Sequence, residues 1–256
     1  MASYTSAGMS YHSPDQYLTL LSGLPANISL FSSKKTPVSR LKLEEKLKTL
    51  EPEHRQLLAD IEGVLQWGYL SPQMKHDLDA GGAEQPVKQI KKVLAAVKDR
   101  QLKTLVRDKL DFRTLVGALR HRHDDPSVPL AGDWTVSRFK QNIENNWQEP
   151  YFRLEHACPW LVEAKQYIDN DEPLLLEKLL LQNAWQHLSR PPQAQQFSFY
   201  AVVIYVLKWN IVERWTRYNN EFAAQRFQQL VQQGLEQYDQ QQYDQQTEQP
   251  LQETEK

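Results

Sequence analysis

Along most of the chain, aliphatic and aromatic residues recur at three- and four-residue intervals with charged residues between them. Leu41, Leu43, Leu47 and Leu50 form one such stripe, and Lys42, Glu44, Glu45, Lys46 and Lys48 occupy the other side, the pattern of an amphipathic helix. Glu51-Pro52-Glu53 restarts the chain, and Leu57, Leu58, Ile61, Val64, Leu65 and Trp67 predict a second helix, antiparallel to the first through a tight connection. Ser71-Pro72 opens a shorter segment that stops at Gly81-Gly82. Val87, Ile90, Val93, Leu94 and Val97, then Leu102, Leu105, Val106 and Leu110, mark the next two helices. His123 to Gly132, with its Asp-Asp-Pro and Val-Pro, reads as a loop. Three more helices are predicted over Trp134–Trp147, Pro159–Ile168 and Pro173–Leu188, two of them with proline in the first turn. No alternation of period two persists at length, so the fold class is all-α.

The segment from Phe197 to Phe227 breaks the amphipathic pattern. Tyr200 to Leu207 is apolar on every side, which in a helix means burial all round. Beyond it, Lys208, Asn210, Glu213, Arg214 and Arg217 lie among Trp209, Ile211, Val212 and Trp215. Polar groups placed this way must find partners inside. A second polar intrusion occurs where Asp111 and Arg113 interrupt an aliphatic face. Asp111 is too near Arg113 and Lys109 in sequence to pair with either along one helical face, so partners are expected from another helix. Asp111, Arg113, Lys208, Asn210, Glu213 and Arg214 are therefore the candidate internal polar network, fixing helix register rather than performing chemistry.

The ends differ from the middle. Residues 1–12 are poor in apolar side chains and are expected to fray. Ser13-Pro14-Asp15 is a helix-start signal, and for the apolar run Tyr17 to Leu24 both helix and strand remain compatible with the pattern. Beyond about Tyr238 glutamines dominate, and too little apolar surface remains to offset ordering entropy. The expected organisation is one helical domain over 13–238 followed by a disordered tail, 239–256.

Composition narrows the functional classes. Lysine plus arginine (30) nearly balances aspartate plus glutamate (32), so overall charge offers no attraction to nucleic acid or an anionic membrane. The Tyr200–Leu207 run is far shorter than the ~20 residues of a bilayer span, and the first residues lack the features of a cleavable signal. A cytoplasmic address follows as the expectation. The single cysteine, Cys158, excludes an intramolecular disulfide.

Candidate chemistry is sparse. His121, His123, Asp124 and Asp125, with Glu155, His156 and Cys158 farther on, are metal-ligating residue types without zinc spacing. A basic helix end at His121-Arg122-His123 explains the first group as well. Gly81-Gly82 lacks the lysine and helix start of a phosphate loop. Cys158 precedes Pro159 at a helix start, where a thiol can be activated; a buried structural cysteine is the competing reading. Glu149 and Glu155 flank Pro150-Tyr-Phe, and no second constellation converges on them. No catalytic residue, cofactor site or metal site is assigned.

Tyr17-Leu-Thr-Leu-Leu-Ser-Gly-Leu-Pro, Asp111-Phe-Arg-Thr with Ala118-Leu-Arg, Trp147-Gln-Glu-Pro-Tyr-Phe with Pro159-Trp-Leu, Phe197-Ser-Phe-Tyr-Ala-Val-Val and Ile211-Val-Glu-Arg-Trp occur in this order. Together, over about residues 15 to 230, they resemble a divergent bacterial family related to the C-type central-stalk component of V/A-type rotary ATPases, called d in eukaryotes. Thr114 stands where the family pattern carries asparagine. The resemblance implies a funnel-like bundle of related helical units without catalysis of its own. It further implies a place at the inner face of the membrane, between the central rotor stalk and the membrane proteolipid ring, where the protein passes torque during ion transport. The alternatives are a free-standing helical adaptor and a hydrolase with an unrecognised helical site.

Overall fold

A computed structural model of the chain describes residues 14–26, 30–32, 35–65, 84–189 and 197–219. Among these residues every regular element is a helix. In chain order they are α1 (Pro14–Ser22), α2 (Arg40–Leu47), α3 (Pro52–Leu65), α4 (Glu84–Ala96), α5 (Arg100–Asp124), α6 (Lys140–Asn145), α7 (Trp160–Asp169), α8 (Pro173–Leu188) and α9 (199–219). The predicted segment after Ser71, the frayed start, the glutamine-rich tail and the continuation of α9 to Phe227 lie outside the described residues.

Local chemistry sets the boundaries. Proline occupies the first position of α1, α3 and α8, where its missing N–H costs nothing. Ser39 and Asp99 cap α2 and α5: Ser39 Oγ accepts from Lys42 N at 3.4 Å and Asp99 Oδ1 from Leu102 N at 2.6 Å. The last turn of α5 carries His121, Arg122 and His123, favourable at the negative end of the helix dipole.

Two apolar cores result. The first gathers α1 to α4, the N-terminal half of α5 (Leu102 to Leu110), the end of α8 (Leu181, Ala184, Leu188) and the whole described length of α9. The second joins the C-terminal half of α5 (Leu115 to Leu119) to Ile143, Trp147, Phe152, Leu154, α7 and the start of α8 (Leu176, Leu180). Thus α5 and α8 each divide their length between the cores. At 25 residues, α5 runs for about 37 Å at 1.5 Å per residue. Truncating Ile61 or Leu181, both fully buried, is expected to cost about 2–5 kcal/mol.

Within the second core, the predicted helix Trp134–Trp147 shrinks to Lys140–Asn145. Side chains supply the competing hydrogen bonds. Asp111 Oδ1 accepts from Ser137 Oγ at 2.7 Å and from Arg138 N at 2.9 Å, while Thr135 Oγ1 accepts from Ser137 N at 3.2 Å. Farther on, Phe152 has φ 54°, a conformation that costs a bulky residue about 1–3 kcal/mol. Its surroundings hold it there: the ring is fully buried, stacks on Trp147 at 5.7 Å and lies under the Arg122 guanidinium.

Candidate functional site

A cavity of about 550 Å³ lies where α2, the end of α3, the middle of α5, the end of α8 and α9 meet. Helical spacing builds its walls. Lys109, Phe112 and Arg113 share one face of α5, and Leu207, Asn210, Ile211, Arg214, Arg217 and Tyr218 share one face of α9. The other walls contribute Arg40, Glu62, Leu65 and Leu188.

Carboxylates on this side of the molecule are held in multiple hydrogen bonds. Glu62, 8% exposed, accepts Arg40 Nη1 and Nη2 at 2.9 and 3.1 Å and Asn210 Nδ2 at 2.8 Å. Two-pronged pairing with Glu62, joined by Glu44, pushes the Arg40 pKa up against the opposing effect of burial. The Arg40 guanidinium also sits 5.6 Å from the Trp209 ring centroid, and Trp209 Nε1 donates to the Val38 carbonyl at 2.8 Å. Beside the cavity, Glu177 is only 4% exposed and receives Arg214 Nε and Nη2 at 2.5 and 3.0 Å. Arg120 approaches the same pair, its pKa pushed down chiefly by burial. Glu213, nearer solvent, pairs with Arg217 at 2.7 Å.

Two α5 cations donate to main-chain carbonyls near helix ends. Arg113 Nη1 reaches the Val64 carbonyl at 2.5 Å, in the last described turn of α3. Lys109 Nζ reaches the Ala184 carbonyl at 2.9 Å. The Lys109 side chain keeps intermediate accessibility because it faces the cavity, yet its ammonium is packed round by protein. Burial pushes that amine from its ordinary 10.5 down to about 7, with only partial opposition from Asp108.

The candidate network of the sequence is thereby divided. Arg113, Asn210, Glu213 and Arg214 line the one cavity. Asp111 does not join them: 4% exposed, it binds the 137–138 segment, with Arg138 Nε at 2.6 Å and Asp108 sharing the same guanidinium. Lys208 also stands apart, its Nζ 4.9 Å from the Trp185 ring centroid and its pKa pushed down by burial. The partner of Asp111 is a loop rather than the helix expected, because Ser137 and Arg138 precede α6.

Sequence reasoning missed Arg40, Glu62, Lys109, Arg120 and Glu177. For the two glutamates a signal exists. Glu62 follows Leu58 by four residues on the apolar stripe of α3, and Glu177 lies between Leu176 and Leu180–Leu181. A carboxylate inside an aliphatic stripe announces a buried cation partner.

The other chemical candidates resolve plainly. Burial pushes the Cys158 thiol up, the opposite of activation. Glu149 binds exposed Arg153 at 3.0 Å. Among the described residues no group of three or more His, Cys, Asp or Glu side chains is arranged to hold a metal, and no helix is long and apolar enough to cross a membrane. Comparison of the chain with protein-family models, curated proteins and solved structures yields no match.

Proposed function

We propose that this chain is the non-catalytic coupling component of a bacterial V/A-type rotary ATPase, placed between the central rotor stalk and the proteolipid ring. One observation carries the reading beyond the order of the motifs in the sequence. The segments Asp111-Phe-Arg-Thr, Ala118-Leu-Arg and Ile211-Val-Glu-Arg-Trp, about a hundred residues apart at their extremes, converge around one polar centre. Arg113 and Arg214 line the same cavity, and Arg120 and Arg214 flank Glu177. Arg120 and Arg214, which lie within two of these segments, thus take part in joining α5, α8 and α9. Helices joined through buried charge pairs resist relative sliding, as a torque-bearing part requires.

The feature that would favour a hydrolase, a perturbed ionisable group in a cavity, is present in Lys109. Its amine is, however, bound to the Ala184 carbonyl, and the lining carboxylates Glu62 and Glu213 are bound to Arg40 and Arg217, the arrangement of a structural polar network. Affinity purification of the tagged full chain from membranes of its native host tests the proposal. Recovery of ATPase headpiece, stalk and ring proteins in fixed ratio is expected. Recovery of the chain free of all of them, or with unrelated proteins only, overturns the reading in favour of an adaptor.

A further inference from the structure

We propose that the groove between α4, the first turns of α5 and the 136–138 segment is a docking site for an acidic segment of a partner protein, one that carries carboxylates about a helical turn apart beside an aliphatic stripe. The inference does not rest on any role in a rotary complex. Its first support is the distribution of charge. From Glu84 to Leu110 the chain holds eight lysines and arginines against three acids, a net charge of +5 in a protein whose total is −2. The near-balance of the whole sequence thus hides a basic pair of helices. Lys92, Lys98 and Arg100 are exposed, and neither they nor Lys103 and Arg107 form an ion pair or side-chain hydrogen bond among the described residues.

The second support is geometry. The groove has a volume of about 540 Å³. Lys103, Arg107 and Leu110 recur at helical spacing on one face of α5, facing Lys91 and Leu94 of α4, and Leu94, Leu110 and Val136 make the lining between the cations partly apolar. At the groove itself four cations stand against Asp108, Asp111 and Asp133, and all three acids are engaged: Asp133 binds Lys91 at 2.8 Å, while Asp108 and buried Asp111 hold Arg138. Asp99, one turn before Lys103, accepts from Leu102 N at the helix cap. Lys91 and Arg138 therefore brace the walls, and Lys103 and Arg107 are left to meet an incoming anion. Four residues apart, they lie about 6 Å from each other along the helix axis, the spacing of two carboxylates one turn apart on a docking helix. The lining also discriminates among anions. Single-stranded nucleic acid is held by aromatic stacking as well as charge, and no described aromatic side chain lines this groove. A helix lying on a membrane inserts large apolar residues, and none of the large hydrophobic side chains described as exposed lies on α4 or α5. An acidic, partly aliphatic protein segment suits both the lining and the two cations.

Fluorescence anisotropy on the full chain decides the matter, with a labelled amphipathic peptide whose glutamates lie one turn apart beside a leucine stripe, and with the same peptide carrying glutamine in their place. Saturable, salt-sensitive binding of the glutamate peptide is expected at sub-millimolar concentration, and the glutamine peptide should bind about 10-fold more weakly or worse. Lys103→Glu combined with Arg107→Glu should weaken the glutamate peptide by about 10-fold or more, because two attractions become repulsions. Lys42→Glu with Lys48→Glu, an equal change of charge at exposed positions of α2 and its C-terminal end, should leave affinity within about 2-fold. A measurement on the unaltered chain avoids the question of folding in the variants. Zero-length carbodiimide coupling should join the peptide's glutamates to Lys103 or Lys91, as located by mass spectrometry. Lack of saturable binding, equal affinity for the glutamine peptide, binding unchanged by the Lys103 and Arg107 reversal, or coupling confined to lysines outside α4 and α5 would each overturn the proposal. So would tighter binding of single-stranded RNA or phosphatidylserine vesicles than of the peptide, lost in the same double variant, which would assign the groove to phosphate.

Discussion

Lys109 is where a single substitution is expected to stabilise the protein. Its amine is near 7 in the folded chain and at the ordinary 10.5 when unfolded. Between those values the unfolded chain binds a proton that the folded one does not, so this residue makes stability rise with pH from about 7 to 10.5; below 7 its full penalty persists. The charged groups around it come from every wall: Asp108 and Arg113 on its own helix, Arg40 and Glu62 from α2 and α3, and Glu213, Arg214 and Arg217 from α9. Their net effect leaves burial dominant. The depression corresponds to about 3–5 kcal/mol at neutral pH. Lys109→Met keeps most of the volume and removes the ammonium, while the Ala184 carbonyl loses one donor at a cost of about 1 kcal/mol. The variant should therefore exceed the parent by about 2–4 kcal/mol at pH 7, and that advantage should vanish or reverse by pH 10. Urea midpoints for both proteins at pH 6.5, 8 and 10 measure the difference, in which all other titrations cancel. A difference that stays constant with pH to within about 0.5 kcal/mol would refute the reasoning.

Arg214→Met leaves Glu177 buried without its bidentate partner and should cost about 3–5 kcal/mol, read from the denaturant midpoint; adding Glu177→Leu should recover much of the loss. Glu213→Gln, by contrast, should shift stability by less than about 1 kcal/mol, since Arg217 is exposed; a shift as large as that of Arg214→Met would place Glu213 in the buried network after all. Asp111→Asn should loosen the 134–139 segment, seen as faster amide exchange at Arg138 and Phe139, because it weakens the grip on Ser137 and Arg138. The purified chain alone should turn over no ATP in a coupled assay, whether or not it binds the nucleotide.

Helix existence was legible in the residues because long amphipathic stripes such as Leu57 to Leu65 and prolines at helix starts are local signals. So was the polar intrusion on α9. Its partners were not. Nothing in the order of residues says that Asn210 meets Glu62 or that Arg214 meets Glu177, since those pairings are set by how α9 lies against α3 and α8. The same gap explains Glu213, equally placed in an apolar stretch yet turned toward Arg217 and solvent. The Trp134–Trp147 prediction failed for a related reason: the hydrophobic spacing suits a helix, while a carboxylate on α5 captures the hydrogen bonds of Ser137 and Arg138 and holds the first half open.

The division into two cores also dictates an order of events during synthesis. Every member of the second core lies between Leu115 and Leu180, so its contacts close short loops. The first core needs α9: Tyr205 binds the Pro25 carbonyl across 180 residues, Trp209 binds Val38 across 171, and Asn210 binds Glu62 across 148. Prior folding of the second core shortens the longest loops by well under half, and loop-closure cost grows so slowly with length that this saves less than about 0.6 kcal/mol. Docking of α9 thus remains the step of highest contact order, the kind that folds slowly. Since α9 leaves the ribosome late, the first core is completed only after most of the chain has been made. The interval before α9 arrives, when the first core is incomplete, is when this protein is most exposed to aggregation.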